Sequence, residues 1–125
     1  MDKSILFTPG KIGPLTLRNR TIRAAAFESM CPGNAPSEQL FNYHTSVAAG
    51  GIGMTNIAYA AVTQSGLSFE RQLWMRPEIL HGLRTLTDAI HKEGAAASHQ
   101  ICHCGNMSHK RNCGCTPTHP SDGFK

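Results

Sequence analysis

Ala48-Ala49-Gly50-Gly51-Ile52-Gly53-Met54-Thr55-Asn56-Ile57-Ala58-Tyr59 carries a helix end, a turn and a strand in direct succession. Gly50-Gly51 stops the helix before it, because glycine enters the left-handed C-cap conformation without a Cβ clash. Residues 52–59 are then an apolar run bounded by Gly51 and by the polar Thr63-Gln64-Ser65-Gly66. Periodicity does not separate a buried strand from a helix in so short a run. Its length and its flanks decide for strand.

Upstream, Ser37 is a good N-cap for a helix opening at Glu38, since its hydroxyl accepts from an otherwise unpaired N–H of the first turn. Leu40, Tyr43 and Val47 recur at helical spacing, as do Phe41, His44 and Ala48, and together make one wide apolar face. Before that helix, residues 21–27 are short and mostly apolar, and Cys31-Pro32-Gly33 leaves no room for several turns, so a strand is expected there. Downstream, Pro77 suits a first helical position. Ile79, Leu83, Leu86 and Ile90 form a stripe widened by Leu80 and Ala89, and Gly94 closes it. Residues 95–101 are the third apolar run. Residues 102–125 show no periodicity and read as a long loop. At the other end, Ile12 and Leu15-Thr16-Leu17 flank a Gly-Pro turn and suggest a short hairpin within a lead-in of residues 1–20.

The order strand, helix, strand, helix, strand over residues 21–101 argues for parallel strands joined by crossover helices. It leaves a three-stranded sheet with two unpaired edges, which a parallel sheet rarely tolerates. A chain of 125 residues also falls short of the roughly 250 that a complete eight-stranded α/β barrel takes.

Apolar residues make up 40% and charged residues 16% of the chain, which excludes a disordered polyelectrolyte. The formal charge of +4 permits an anionic ligand, but Lys and Arg are dispersed, with Lys110-Arg111 the only adjacent pair. No basic, aromatic-interleaved stripe points to nucleic acid, and no apolar run approaches the ~18 residues of a spanning helix. Met1-Asp2-Lys3-Ser4-Ile5-Leu6-Phe7 has no basic region leading into an apolar stretch, so the expected compartment is the cytoplasm. Five cysteines, an odd number, fit that expectation better than a disulfide framework.

Cys102 with Cys104, and Cys113 with Cys115, lie near His99, His103, His109 and His119 and raise the alternative of a small zinc-binding domain. Zinc modules separate their paired cysteines by two to four residues, whereas one intervening residue in an extended chain points both thiols to one side with little curvature. No metal ligand is assigned on that spacing. His44, on an apolar helix face, is expected to pack. Gly50-Gly51-Ile52-Gly53 precedes a strand instead of following one, which is wrong for a dinucleotide fingerprint. Gln100 stands out: a long amide at the C-terminal end of a strand occupies the place where α/β proteins put ligand contacts.

Several segments together resemble the Old Yellow Enzyme family, the NADH:flavin oxidoreductases. They are Leu6-Phe7-Thr8-Pro9-Gly10-Lys11-Ile12-Gly13, Leu17-Arg18-Asn19-Arg20, Tyr43-His44, Ala49-Gly50-Gly51-Ile52-Gly53-Met54, Ala60-Ala61-Val62, Ser65-Gly66, His91-Lys92-Glu93-Gly94-Ala95, and Gln100 with His103-Cys104-Gly105. They fall in family order and span nearly the whole chain.

The resemblance implies an α/β fold: the N-terminal portion of a TIM (β/α)8 barrel, about three βα units preceded by a β-hairpin. It implies one incomplete FMN-binding domain over residues 1–125, with 102–125 the loop after the third strand. Ala24, Ala25, Ala26 and Phe27 match the segment that touches the flavin after the first strand. Tyr59 matches a position near the isoalloxazine, and Gln100 matches the glutamine bonded to the flavin pyrimidine ring. His103 and Gly105 match a His-x-Gly-Arg motif in which Asn106 replaces the arginine. The implied parent passes a hydride from NAD(P)H through FMN to a small unsaturated carbonyl substrate, with neither nucleic acid nor membrane as partner. The family's substrate-anchoring pair and proton-donating tyrosine lie on later strands, so no catalytic residue is assigned here and no turnover is expected of these residues alone. A non-catalytic adaptor is the remaining alternative.

Overall fold

The structure is a computed structural model, and residues 4–118 are described. A single turn, α1 (Ser4–Phe7), leads into an antiparallel hairpin, β1 (Gly10–Ile12) and β2 (Leu15–Leu17), in register Gly10↔Leu17 and Ile12↔Leu15. Gly13, at φ 54°, takes the left-handed position that the tight turn requires. The main sheet has three parallel strands in the order β3 (Ile22–Arg23), β4 (Met54–Ala61) and β5 (Ala96–Cys102). Between them run α2 (Glu38–Ala49) and α3 (Leu80–Lys92), the latter entered through a 3-10 turn at Pro77–Ile79.

Both long helices form for the expected reasons. The Ser37 hydroxyl accepts from the Leu40 N–H at 3.1 Å and caps α2. Leu40, His44 and Ala48 recur every fourth residue on its buried face, and α3 buries Leu83, Leu86 and Ile90. Those side chains meet Ile57 and Ala60 of β4 and Ala95 beside β5 in one core on the helix-facing side of the sheet.

The first strand is shorter than expected, and the reason is physical. Only Ile22 and Arg23 pair with β4; residues 24–27 leave the sheet. The backbone groups they abandon are taken by side chains. Arg23 NH1 donates to the Asn56 carbonyl at 2.7 Å, and the Glu28 carboxylate accepts from the Ala58 N–H at 3.3 Å. Further along, residues 73–75 return to the same edge, with Ala61 N–H donating to Leu73 O and Met75 N–H to Ala61 O, both at 2.8 Å. The segment after the third strand also departs from the expected loop. It holds a 3-10 turn at Gly105–Met107 and a short helix, α4 (Lys110–Cys113), before residues 119–125, which lie outside the described residues.

The hairpin is fastened to the N-terminal end of the sheet by Arg18. Its guanidinium donates to the carbonyls of Ile52, Glu93 and Ala48, so one side chain caps the C-terminal ends of α2 and α3 together. Among the described residues, no strand pairs with the outer edge of β3 or of β5. No helix there is long and apolar enough to cross a membrane.

Candidate functional site at the C-terminal strand ends

The C-terminal ends of β3, β4 and β5 gather the residues singled out from the sequence. In β4 the register with β5 slips between Ile57 and Ala60, because Ile57 pairs with His99 while Ala60 pairs with Ile101. One extra residue on β4 therefore stands opposite Gln100, forming a bulge at Ala58 and Tyr59. The slip changes the parity of the strand. Ile57 and Ala60 both reach the helix-facing core, which leaves Tyr59 on the opposite face, the face Gln100 shares by alternation from Ala97. A bulge beside a ligand site commonly serves to re-aim a side chain in this way.

Tyr59 belongs to an aromatic cluster. Its ring centroid lies 5.7 Å from that of Phe27, and Phe27 in turn stacks on Phe69 at 4.4 Å. Ala24 and Ala26 are exposed and Ala25 half-buried. Among the described residues, the N–H groups of Ala25, Ala26 and Phe27 enter no backbone hydrogen bond. Small side chains and unspent amides leave that segment open to a ligand. Gln100 is exposed, and its amide has no partner among the described residues. Deeper on β4 and β5, the register partners Asn56 and Ser98 each hold a buried side-chain oxygen with no partner among the described residues. The structure thus brings Phe27 against Tyr59 and sets Gln100 across from the bulge. Ala24, Ala25 and Ala26 lie one strand away, beyond the end of β3.

Beneath this surface lies a polar cluster that sequence reasoning missed. Glu28, its side chain 6% exposed, sits 2.9 Å from Arg23 NH1 and 3.3 Å from His44 Nε2. His44 is buried as expected, yet its Nδ1 bonds the Thr55 hydroxyl at 2.8 Å, so it is more than packing. Arg23 Nε donates to the Tyr43 hydroxyl at 3.0 Å. His99 joins the group from β5, and burial pushes its pKa down, against a smaller upward effect of its hydrogen bond to the Ala58 backbone. Adjacent polar residues at Arg23 and Glu28 around an alanine-rich run were the available signal.

Two grooves flank the aromatic cluster. One, of about 530 Å³, is lined by Phe27, Ser29, Phe69, Glu70, Arg71 and Arg111. The other, of about 320 Å³, lies between Tyr59, Phe69 and the Cys102–Cys104 segment. His103 is turned to the loop after β4: its Nε2 is 3.1 Å from the Ser65 hydroxyl, and its Nδ1 accepts from the Gly105 N–H. Gly66 packs close to His103: a Cβ there would sit 3.0 Å from its ring and press it to shift. The zinc alternative finds no support here. Among the described residues no three of His, Cys, Asp and Glu come together to hold an ion; His119 lies outside them.

Parallel strands with crossover helices on one face, and loops converging on the other end, define the opening βα units of a TIM-barrel protein, whose ligands sit at the C-terminal strand ends. More narrowly, the chain belongs to the NADH:flavin oxidoreductase / NADH oxidase family, whose model matches residues 5–124. FMN is the cofactor of that family. The chain is 50% identical over 100 residues to the 4,4'-dithiodibutanoate disulfide reductase of Rhodococcus erythropolis, a match covering 80% of this chain and 25% of that protein. It superposes on a 2-naphthoyl-CoA reductase complex with a TM-score of 0.83 at 29% identity, covering 89% of this chain and 17% of that one. The Old Yellow Enzyme homologue of Zymomonas mobilis gives a TM-score of 0.82 at 22% identity, covering 96% of this chain and 37% of that one, a likeness of fold alone. The chain thus spans well under half the length of each.

Proposed function

We propose that residues 22–102 form the flavin-contacting end of an FMN-dependent NAD(P)H oxidoreductase, with the rest of an eight-stranded barrel covering the outer edges of β3 and β5. The single observation that supports this is the β4 bulge opposite Gln100, which sets Tyr59 and the Gln100 amide on one face of the sheet. Ala24, Ala25, Ala26 and Phe27 would hold the flavin through backbone groups, Tyr59 would pack near its ring system, and Gln100 would bond its pyrimidine edge. Bound FMN would supply two-electron chemistry; these residues bind and orient it and keep water from one side. On this reading residues 1–125 make one incomplete domain, working in the cytoplasm and giving no turnover alone.

The first substrate class is an activated alkene, a small unsaturated carbonyl compound, in keeping with the Old Yellow Enzyme resemblance. A second is favoured by the 50% identity to a disulfide reductase: an organic disulfide as acceptor. Arg71 and Arg111 in the larger groove suit an anionic acceptor of either kind. The test is an FMN titration followed by flavin fluorescence. Saturable quenching that Gln100→Ala weakens by about tenfold, the worth of one well-made hydrogen bond to a ligand, supports the reading; binding unaffected by that substitution shows the site is elsewhere.

A further inference from the structure

The smaller groove holds a feature that flavin binding does not use. It is lined by Tyr59, Phe69, Met107 and His109 together with Cys102 and Cys104. β5 ends at Cys102, and the chain turns at Cys104 (φ −75°, ψ −12°). The turn leaves the two sulfurs 3.8 Å apart. The buried side chain of Gln72 directs its Nε2 to the Cys104 sulfur at 4.0 Å. Burial, then the hydrogen bond to Cys104, pushes the Cys102 thiol up to about 11. Cys102 therefore keeps its proton at neutral pH, and Cys104, the sulfur toward which the Gln72 amide points, takes the attacking role.

We propose that Cys102 and Cys104 form an exchange-active dithiol whose ligand is an organic disulfide entering the groove between Tyr59 and Phe69. The proposal deepens the disulfide reading above and rests on it for the class of substrate. The Cys104 thiolate attacks one sulfur of R–S–S–R, making a Cys104 mixed disulfide and expelling RS⁻. The Cys102 thiol gives up its proton to that thiolate, and its sulfur attacks Cys104, breaking the mixed disulfide. The second RS⁻ leaves and takes a proton from water, replacing the one Cys104 had lost. Two protein thiols become one disulfide and the substrate disulfide becomes two thiols, so two electrons and two protons change hands. The sulfurs have only to close from 3.8 Å to about 2.05 Å.

The other cysteines serve as controls within the same chain. Cys113 and Cys115 are closer, at 3.3 Å, but Cys113 packs in a buried cluster with Ala61 and Leu67 and its thiol is spent on the Cys115 carbonyl. Cys31 is buried, and burial pushes its thiol up to about 12. Neither lines the groove.

The experiment treats the full chain, without flavin or nicotinamide, with 4,4'-dithiodibutanoate, then quenches, alkylates and digests with trypsin. Cleavage after Arg23, Arg71, Lys92, Lys110 and Arg111 isolates Cys102 and Cys104 in residues 93–110, Cys113 and Cys115 in residues 112–125, and Cys31 in residues 24–71. The expected result is an internal disulfide in residues 93–110 before either other peptide changes. Cys102→Ser should stop at a mixed disulfide on Cys104, and Cys104→Ser should slow reaction of that peptide by about tenfold or more, since the remaining thiol is mostly protonated. Oxidation appearing first in residues 112–125, no trapped adduct in Cys102→Ser, or an unchanged rate in Cys104→Ser overturns the proposal. The exchange contains no flavin, so its failure is separate from a failure of the FMN titration.

Discussion

Both carboxylate oxygens of Glu28 lie 3.3 Å from the backbone nitrogen of Ala58, where a longer first strand would have placed a carbonyl. Glu28 thereby lets residues 24–27 leave the sheet without orphaning the β4 backbone. The same carboxylate neutralises Arg23 at 2.9 Å. Glu28→Ala removes the charge partner of the partly buried Arg23, which keeps its bonds to Asn56 and Tyr43, and leaves the buried Ala58 N–H without its acceptor. It should cost about 1–3 kcal/mol. Glu28→Gln keeps an acceptor for Ala58 and should cost clearly less. Urea denaturation of the two variants measures this, and equal losses would mean that the charge on Arg23, not the backbone bond, is what Glu28 serves.

Arg18 does comparable work at the opposite end of the sheet. Its guanidinium serves the carbonyls of Ile52, Glu93 and Ala48, and those carbonyls diverge, so a planar fork of five donors fits where an ammonium does not. Arg18→Lys should therefore be nearly as damaging as Arg18→Met, each lowering stability by about 1–3 kcal/mol. A lysine variant of wild-type stability in the same urea assay would show that charge alone holds the hairpin.

How much of this was legible in the sequence depends on how local each cause is. The Ser37 cap, the stripes of α2 and α3, the hairpin and the two longer strands were readable because each is decided by residues a turn or two apart. The first strand was overread, because an apolar run carries no sign that Arg23 and Glu28 will replace its backbone partners on β4. α4 and the Gly105–Met107 turn were missed because a single turn has no periodicity to detect. At the site, Gln100 and Tyr59 were found separately, but nothing local announces the bulge that sets them opposite each other. Phe69 was missed for the same reason, since its stack on Phe27 is a tertiary contact.

Two glycines should respond in opposite ways to alanine. A Cβ on Gly53 would collide with the Asn19 carbonyl oxygen and stand 3.0 Å from the Thr21 oxygen, both backbone atoms held by the turn into β3. Gly53→Ala should cost about 1–3 kcal/mol from overpacking. Gly82, inside α3, meets only the Pro36 ring at 3.4 Å, an ordinary contact. Gly82→Ala should raise stability by up to about 1 kcal/mol through helix propensity. Thermal melts of the pair decide it, and a loss at Gly82 would mean that Pro36 cannot yield.

Stability should fall on both sides of neutrality, for two different groups. Burial lowers the His99 pKa from its ordinary 6.5 in the folded chain, so the unfolded chain binds the extra proton first. His99 therefore costs nothing above 6.5, and stability is lost as pH drops below it toward the folded value. Cys31 works from the other side. Burial raises its thiol from 9.0 to about 12, so the unfolded chain ionises first, and stability is lost as pH rises from 9.0 through about 12. Urea midpoints measured across pH should be flattened on the acid limb by His99→Gln and on the alkaline limb by Cys31→Ala. An acid limb unchanged in His99→Gln would show that His99 does not carry the acid loss.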